Sequence, residues 1–125
     1  MDITYRGALI QKLIDRRGFR QYLEIGVETG KIFFWVNCRW KIAVDPAFQF
    51  TRMGRLRRIL DNVCNVRARY YPFTSDEFFK RVAPDIFRRR RVDIALIDGM
   101  HTFDCAVRDV ENTLAHLGDD GVIVL

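Results

Sequence analysis

The fold is decided by residues 22–30, which read YLEIGVETG. A short apolar strand is predicted from Gln21 to Val27, and a buried helix from Thr29 to Cys38, on the two sides of a glycine-bounded turn. The E-x-G-x-x-x-G pattern of this stretch therefore lies at a strand-to-helix junction, where α/β proteins commonly bind ligands. It is not the G-x-G-x-x-G pattern of dinucleotide sites, and its glycines also suit a turn that simply requires them.

Two carboxylates in this stretch indicate the charge of the ligand. Glu24 lies at the end of the predicted strand, and Glu28 takes the position at which dinucleotide sites place the glycine that approaches a pyrophosphate. A doubly charged pyrophosphate is therefore disfavoured, whereas a cation is attracted. S-adenosylmethionine, which carries an ammonium and a sulfonium but no phosphate, meets this requirement.

Helical and strand periodicities alternate along the rest of the chain. The further predicted elements are a helix at 5–17, a strand at 41–44, an amphipathic helix at 51–63, a strand at 66–73, a helix that opens with a capping box at 74–77 and is kinked at Pro84, a strand at 92–97, a helix from Phe103 to Leu117 closed by Gly118, and a strand at 121–125. This order predicts one Rossmann-like α/β domain over residues 1–125, with a parallel sheet of strand order 3-2-1-4-5 and helices on both faces. A ligand is expected outside the carboxyl ends of the first and fourth strands.

The composition limits the class of protein. Of the 125 residues, 49% are hydrophobic, which is enough for a single core, and no apolar run approaches the roughly 20 residues that cross a bilayer. The N-terminus lacks the pattern of a secretory signal, so we expect a cytoplasmic protein with no membrane partner. The three cysteines are widely spaced and contain no C-x-x-C, which favours packed thiols over disulfides or zinc.

The net charge of +5 raises the question of a nucleic-acid partner. The basic residues are concentrated between Arg52 and Arg58 and in the run Arg88 to Arg91. Both clusters lie at the ends or outer faces of predicted helices, and no aromatic residues are interleaved with them in the manner of an RNA-binding motif. We therefore expect solvated surfaces and regard nucleic acid as an unlikely partner, although an Arg-rich nucleic-acid-binding domain remains an alternative.

Asp45 ends the second predicted strand, about 20 residues after Gly26, at the spacing where an acidic residue reaches ribose hydroxyls. A carboxylate there accepts two hydrogen bonds. The other interpretation is that Asp45 caps the turn before Pro46.

Four motifs together resemble a known family. Glu24-x-Gly26, Val44-Asp45-Pro46, TSDEFF at 74–79 and IDGMHTF at 97–103 occur in the order and spacing of a class I S-adenosylmethionine-dependent methyltransferase. The family-24 type is the most similar, because its members typically show I-D-G-x-H-x-Y/F followed by a charged helix. The resemblance extends over nearly the whole chain.

The resemblance implies roles for particular residues. Glu24, Gly26 and Gly30 would shape the methionine end of the cofactor site, and Asp45 would hold the ribose. Ser75 or Asp76 would lie near the adenine. In related oxygen methyltransferases the acidic residue after the fourth strand can bind a divalent metal such as Mg²⁺, which makes Asp98 a candidate for metal binding, cofactor binding and catalysis.

His101 is the candidate general base. It is the only histidine in the predicted active-site loop, and an ordinary imidazole pKa of about 6.5 suits removal of a proton from a hydroxyl acceptor. Methyl transfer needs little beyond an aligned nucleophile and one base. The other interpretation is that His101 only orients the loop before the last helix.

The family's fold normally continues beyond its fifth strand, whereas this chain ends at Leu125. We therefore expect a domain that is truncated relative to the family, and an apolar edge strand that is prone to association into a homo-oligomer. The predicted function is S-adenosylmethionine-dependent methyl transfer to a small-molecule oxygen or nitrogen acceptor. The alternative from a different class is a catalytically incompetent cofactor-binding fragment that associates through its open sheet edge.

Overall fold

The computed structural model describes residues 3–99 and 102–125. Six helices, a 3₁₀ segment and five strands follow one another in this part of the chain. They are α1 (Ile3–Arg17), β1 (Gln21–Ile25), α2 (Lys31–Trp35), β2 (Trp40–Val44), α3 (Arg52–Asp61), the 3₁₀ segment (Val63–Arg67), β3 (Ala68–Tyr71), α4 (Ser75–Arg81), α5 (Ala83–Ile86), β4 (Val92–Ile97), α6 (Phe103–Leu114) and β5 (Leu117–Val124).

The five strands form one parallel sheet in the order β3-β2-β1-β4-β5. The predicted Rossmann-like fold and strand order are therefore confirmed. The central strand β1 is buried along its whole length, with Glu24 paired between Ala43 and Leu96. No helix in the described ranges is long and apolar enough to cross a membrane.

Several predicted boundaries were wrong, and the backbone explains them. β1 stops at Ile25 because Gly26 turns at φ 85°, and α2 has only five residues because Gly30 is left-handed at φ 81° and Val36 is already extended. The helix predicted to reach Leu117 ends at Leu114, and Gly118 lies inside β5 rather than at a helix cap.

The core is divided by the sheet into two clusters. On one face Tyr22 and Phe33 pack with residues of α1 and α2, and on the other face Leu23 packs with Phe78 and Phe87 of the α4–α5 region. Alternating residues of β1 thus point to opposite clusters, as a strand buried on both faces requires.

The helix α3 faces the sheet with its polar side. Its amphipathic sequence would ordinarily direct the apolar stripe to the core, yet α3 has no buried residue, and Met53, Leu56 and Leu60 are 75%, 56% and 83% exposed. The Arg55 guanidinium instead lies 4.1 Å from the ring centre of Tyr70, and that of Arg58 lies 5.2 Å from that of Phe34. Arginine stems and cation–π contacts therefore replace aliphatic packing beneath this helix.

Candidate functional site

A cavity of about 430 Å³ opens at the carboxyl ends of β1, β2 and β4. This is the point at which the strand order reverses, and the volume is in the range of small-molecule sites. Of the predicted site residues, Gly26, Asp45, Ser75, Asp76 and Asp98 line the cavity. Glu24 and Gly30 are not in the lining, and His101 lies outside the described residues.

Gly26 forms the floor between the first and fourth strands. It has φ 85°, and a Cβ at this position would collide with the main chain of Asp98 and Gly99. Its N–H donates to Val44 O at 2.9 Å, while Asp98 N–H donates to Ile25 O at 2.8 Å. Glycine is thus required here by the close approach of two loops, which brings three strand ends to one cavity.

Asp45 is the most firmly held carboxylate of the lining. It is 7% exposed, its Oδ2 accepts a hydrogen bond from Glu28 N–H at 2.8 Å, and its Oδ1 accepts one from Ala47 N–H at 2.8 Å. The second bond is the turn cap that the sequence offered as the alternative interpretation. Each oxygen retains a further lone pair, so the same carboxylate can cap the turn and accept hydrogen bonds from a ligand.

The N-terminal turn of α4 supplies the opposite wall. Thr74 caps this helix by accepting from Glu77 N–H at 3.2 Å, as the predicted capping box requires. Ser75 and Asp76 follow at the cavity, and Asp76 forms a 3.2 Å ion pair with Arg108 of α6.

Asp98 lies at the rim and is committed to an ion pair. Its Oδ2 accepts from the Arg6 guanidinium of α1 at 3.0 Å, with the Asp98 side chain 42% exposed. The structure does not support Asp98 as a metal ligand, because the described residues contain no group of three or more His, Cys, Asp or Glu side chains able to hold a metal ion. A single exposed carboxylate paired with arginine is a weak cation site.

Glu24 is buried beneath the site rather than exposed to it. The side chain is 3% exposed and accepts a 2.6 Å hydrogen bond from the Tyr22 hydroxyl. Burial raises the pKa of Glu24 to about 8, against the opposing effects of Tyr22 and the Lys41 ammonium. Burial therefore disfavours the ionised form of this carboxyl, and the side chain does not face the cavity as the sequence predicted.

Sequence reasoning missed the lining residues that α6 contributes, namely Arg108, Asp109 and Cys105, and it also missed Gln49. Asp109 is 1% exposed, and its Oδ2 has no hydrogen-bond partner within the described ranges. Burial raises the pKa of Asp109, while a hydrogen bond from the Ser75 side chain lowers it. No local sequence signal identifies this residue, because its burial depends on how α6 packs against the rest of the fold.

The arrangement defines an α/β domain with an acidic cavity at the switch point of its sheet. Residues 23–125 match the family described as a methyltransferase domain, and the chain belongs to that family. The predicted family resemblance is thereby confirmed. No curated protein matched the chain.

Proposed function

We propose that this methyltransferase domain uses S-adenosylmethionine and methylates a small-molecule oxygen or nitrogen acceptor, with a hydroxyl favoured. The observation that carries the proposal is the charge of the cavity. Five carboxyl-bearing residues line it, namely Glu28, Asp45, Asp76, Asp98 and Asp109. Asp76 is paired with Arg108 and Asp98 with Arg6, which leaves Glu28, Asp45 and Asp109 without a salt bridge among the described residues. The chain as a whole has a net charge of +5, so this local excess of acid is a property of the site.

The donors and acceptors of the cavity fit this cofactor better than a nucleoside diphosphate. The turn from Gly26 to Gly30 carries Glu28 where a pyrophosphate would need uncharged backbone, and α2 is too short and has no side-chain cap to form an anion site. A ligand with a sulfonium and an ammonium instead gains from the surrounding carboxylates. The Oδ2 of Asp109, which has no hydrogen-bond partner among the described residues, is a further acceptor at this wall.

Asp45 would hold the ribose hydroxyls, because its two backbone bonds fix the carboxylate in place. Ser75 and Asp76 would lie near the adenine, and the Gly26 backbone would border the methionine end. When bound, S-adenosylmethionine supplies an electrophilic methyl group on sulfur. The chain then has to position the acceptor and take up its proton, and His101 of the loop after β4 is the proposed base.

Calorimetric titration with S-adenosylmethionine, S-adenosylhomocysteine and NAD tests the cofactor assignment. We expect saturable binding of the first two and none of NAD. Asp45→Asn should weaken binding at least tenfold, because it removes a charge and one acceptor, whereas Asp61→Asn on exposed α3 should leave binding unchanged. Equal binding by the Asp45 and Asp61 variants would refute the site.

Association through the final strand stays a second candidate. β5 forms one edge of the sheet, and most of its residues are only partly buried. Asp119 and Asp120 are exposed in its first half, and such charges discourage edge-to-edge pairing. Sedimentation equilibrium tests this candidate: a concentration-dependent dimer supports association, and a monomer at high concentration excludes it.

A further inference from the structure

An arginine immediately precedes each of the first four strands. Arg20 comes before β1, Arg39 before β2, Arg67 before β3 and Arg91 before β4, and all four are exposed. Because the strands are parallel, these arginines lie at the same edge of the sheet, opposite the acidic cavity. The strand order places them in a row of about 14 Å, at roughly 4.8 Å per strand.

Trp40, the first residue of β2, gathers three guanidinium groups at this edge. The guanidinium carbons of Arg90, Arg67 and Arg39 lie 4.2, 5.1 and 5.2 Å from its ring centre. Arg90 comes from the run before β4 and is 50 residues from Trp40, so only the fold brings this run to the indole of Trp40. We call Arg39, Arg67, Arg90 and Trp40 the arginine edge.

No salt bridge in the described part of the chain involves a residue of the arginine edge, although Asp93, Asp119 and Asp120 lie at the same end of the sheet. The ion pairs found there are Arg6–Asp98, Arg81–Glu77 and Arg108–Asp76, all elsewhere. The neighbouring Asp93 carboxylate accepts the backbone N–H groups of Arg20 and Gln21 at 2.7 and 3.0 Å. Three like charges thus converge on one ring with no salt bridge among the described residues, which favours an external polyanion.

We propose that the arginine edge binds the phosphate backbone of single-stranded nucleic acid. Guanidinium groups held against an indole are pre-organised, and their N–H edges suit bidentate binding of phosphate oxygens. The outer planar faces of these guanidinium groups offer surfaces on which unpaired bases stack. A membrane surface fits less well, because Trp40 is half-buried beneath the arginines and is not positioned to enter a bilayer.

This site is separate from the proposed cofactor cavity. The two lie at opposite ends of strands five or six residues long, about 16 Å apart by strand length. No aromatic residue is interleaved with the two arginine runs, and for that reason the sequence analysis predicts that nucleic acid is an unlikely partner. The fold supplies the missing aromatic residue from β2.

Fluorescence anisotropy with 5′-fluorescein-labelled dT12 and U12 tests the proposal on the purified chain. We expect binding that weakens as salt rises, with a log–log slope of about −2 for three phosphates at roughly −0.7 each. Arg67→Gln/Arg90→Gln should weaken binding at least tenfold. The matched control Arg52→Gln/Arg57→Gln removes the same charge from exposed α3 and should weaken it less than about threefold.

A second measurement does not depend on the arginine variants. In a Trp35→Phe background Trp40 is the sole tryptophan, and dT12 should quench or shift its fluorescence with the same midpoint as the anisotropy. Equal weakening by both double variants, an unchanged Trp40 signal, or binding to vesicles containing anionic lipid with none to either oligonucleotide would each overturn the proposal. Unchanged circular dichroism of the variants separates loss of binding from loss of fold.

Discussion

Gly26 lies so close to the main-chain carbonyl of Asp98 that the structure has no room for a side chain between them. The contact joins the loops after β1 and β4, on the two sides of the point where the strand order reverses. The same backbone segment thus packs the two loops together and forms the floor of the cavity.

The first prediction concerns Gly26→Ala. The substitution combines a left-handed φ of 85° with a backbone collision, so we expect a loss of at least about 3 kcal/mol in the free energy of unfolding. Gly18→Ala is the matched control, because Gly18 also has a positive φ of 66° but meets nothing within 4 Å. It should cost only about 1 kcal/mol. Urea unfolding measures both, and equal losses would contradict the collision.

The second prediction concerns the pH dependence set by Glu24. Burial raises its pKa from 4.5 to about 8, so the folded state holds more protons than the unfolded state in this interval. The contribution of Glu24 to stability is therefore fully present below pH 4.5 and is lost as the pH rises through about 8.

Glu24→Gln removes this titration. The stability of the variant relative to the unmodified chain should increase steadily between pH 5 and 8, by up to a few kcal/mol. Urea unfolding at several pH values in this range measures the difference. Above about pH 8 the difference should level off, because Glu24 is then ionised in both the folded and the unfolded states. A difference that is flat with pH would show that Glu24 is ionised in the folded state.

The third prediction follows from the outward stripe of α3. Leu56 and Leu60 are exposed, so Leu56→Gln/Leu60→Gln should change the free energy of unfolding by no more than about 0.5 kcal/mol per site. Phe78→Ala, at a fully buried ring, should cost about 3–5 kcal/mol. Thermal or urea unfolding of the unmodified chain, the double leucine variant and Phe78→Ala measures these changes. A large loss of stability in the leucine variant would show that the stripe packs against the core.

The fourth prediction concerns the inward side of the same helix. The Arg55 guanidinium lies 4.1, 5.6 and 5.7 Å from the ring centres of Tyr70, Phe50 and Phe48. Arg55→Ala should therefore cost about 1–2 kcal/mol through lost packing and cation–π contact. Arg57→Ala, on the exposed side, should stay within about 0.5 kcal/mol. Similar losses of stability in Arg55→Ala and Arg57→Ala would show that α3 does not direct its arginine side to the core.

Much of the candidate site could be predicted from local sequence. Gly26 and Asp45 end their strands where the periodicity stops, and Thr74 starts a helix through its capping side chain. Parallel strands bring such ends to one edge, and the structure accordingly places both residues with Ser75, Asp76 and Asp98 around one cavity. Arg6, Arg108 and Asp109 could not be predicted, because they reach the site from helix faces whose orientation depends on packing.

The sequence by itself determined the order of the elements and hence the parallel sheet, because periodicity, turn residues and crossover handedness leave few other topologies. Only the tertiary structure decided that Glu24 turns to Tyr22 and that α3 presents its arginines to the aromatic core. It also brought Arg90 to Trp40. Periodicity states which residues share a face, whereas the neighbour that covers this face is fixed by contacts between residues far apart in the chain.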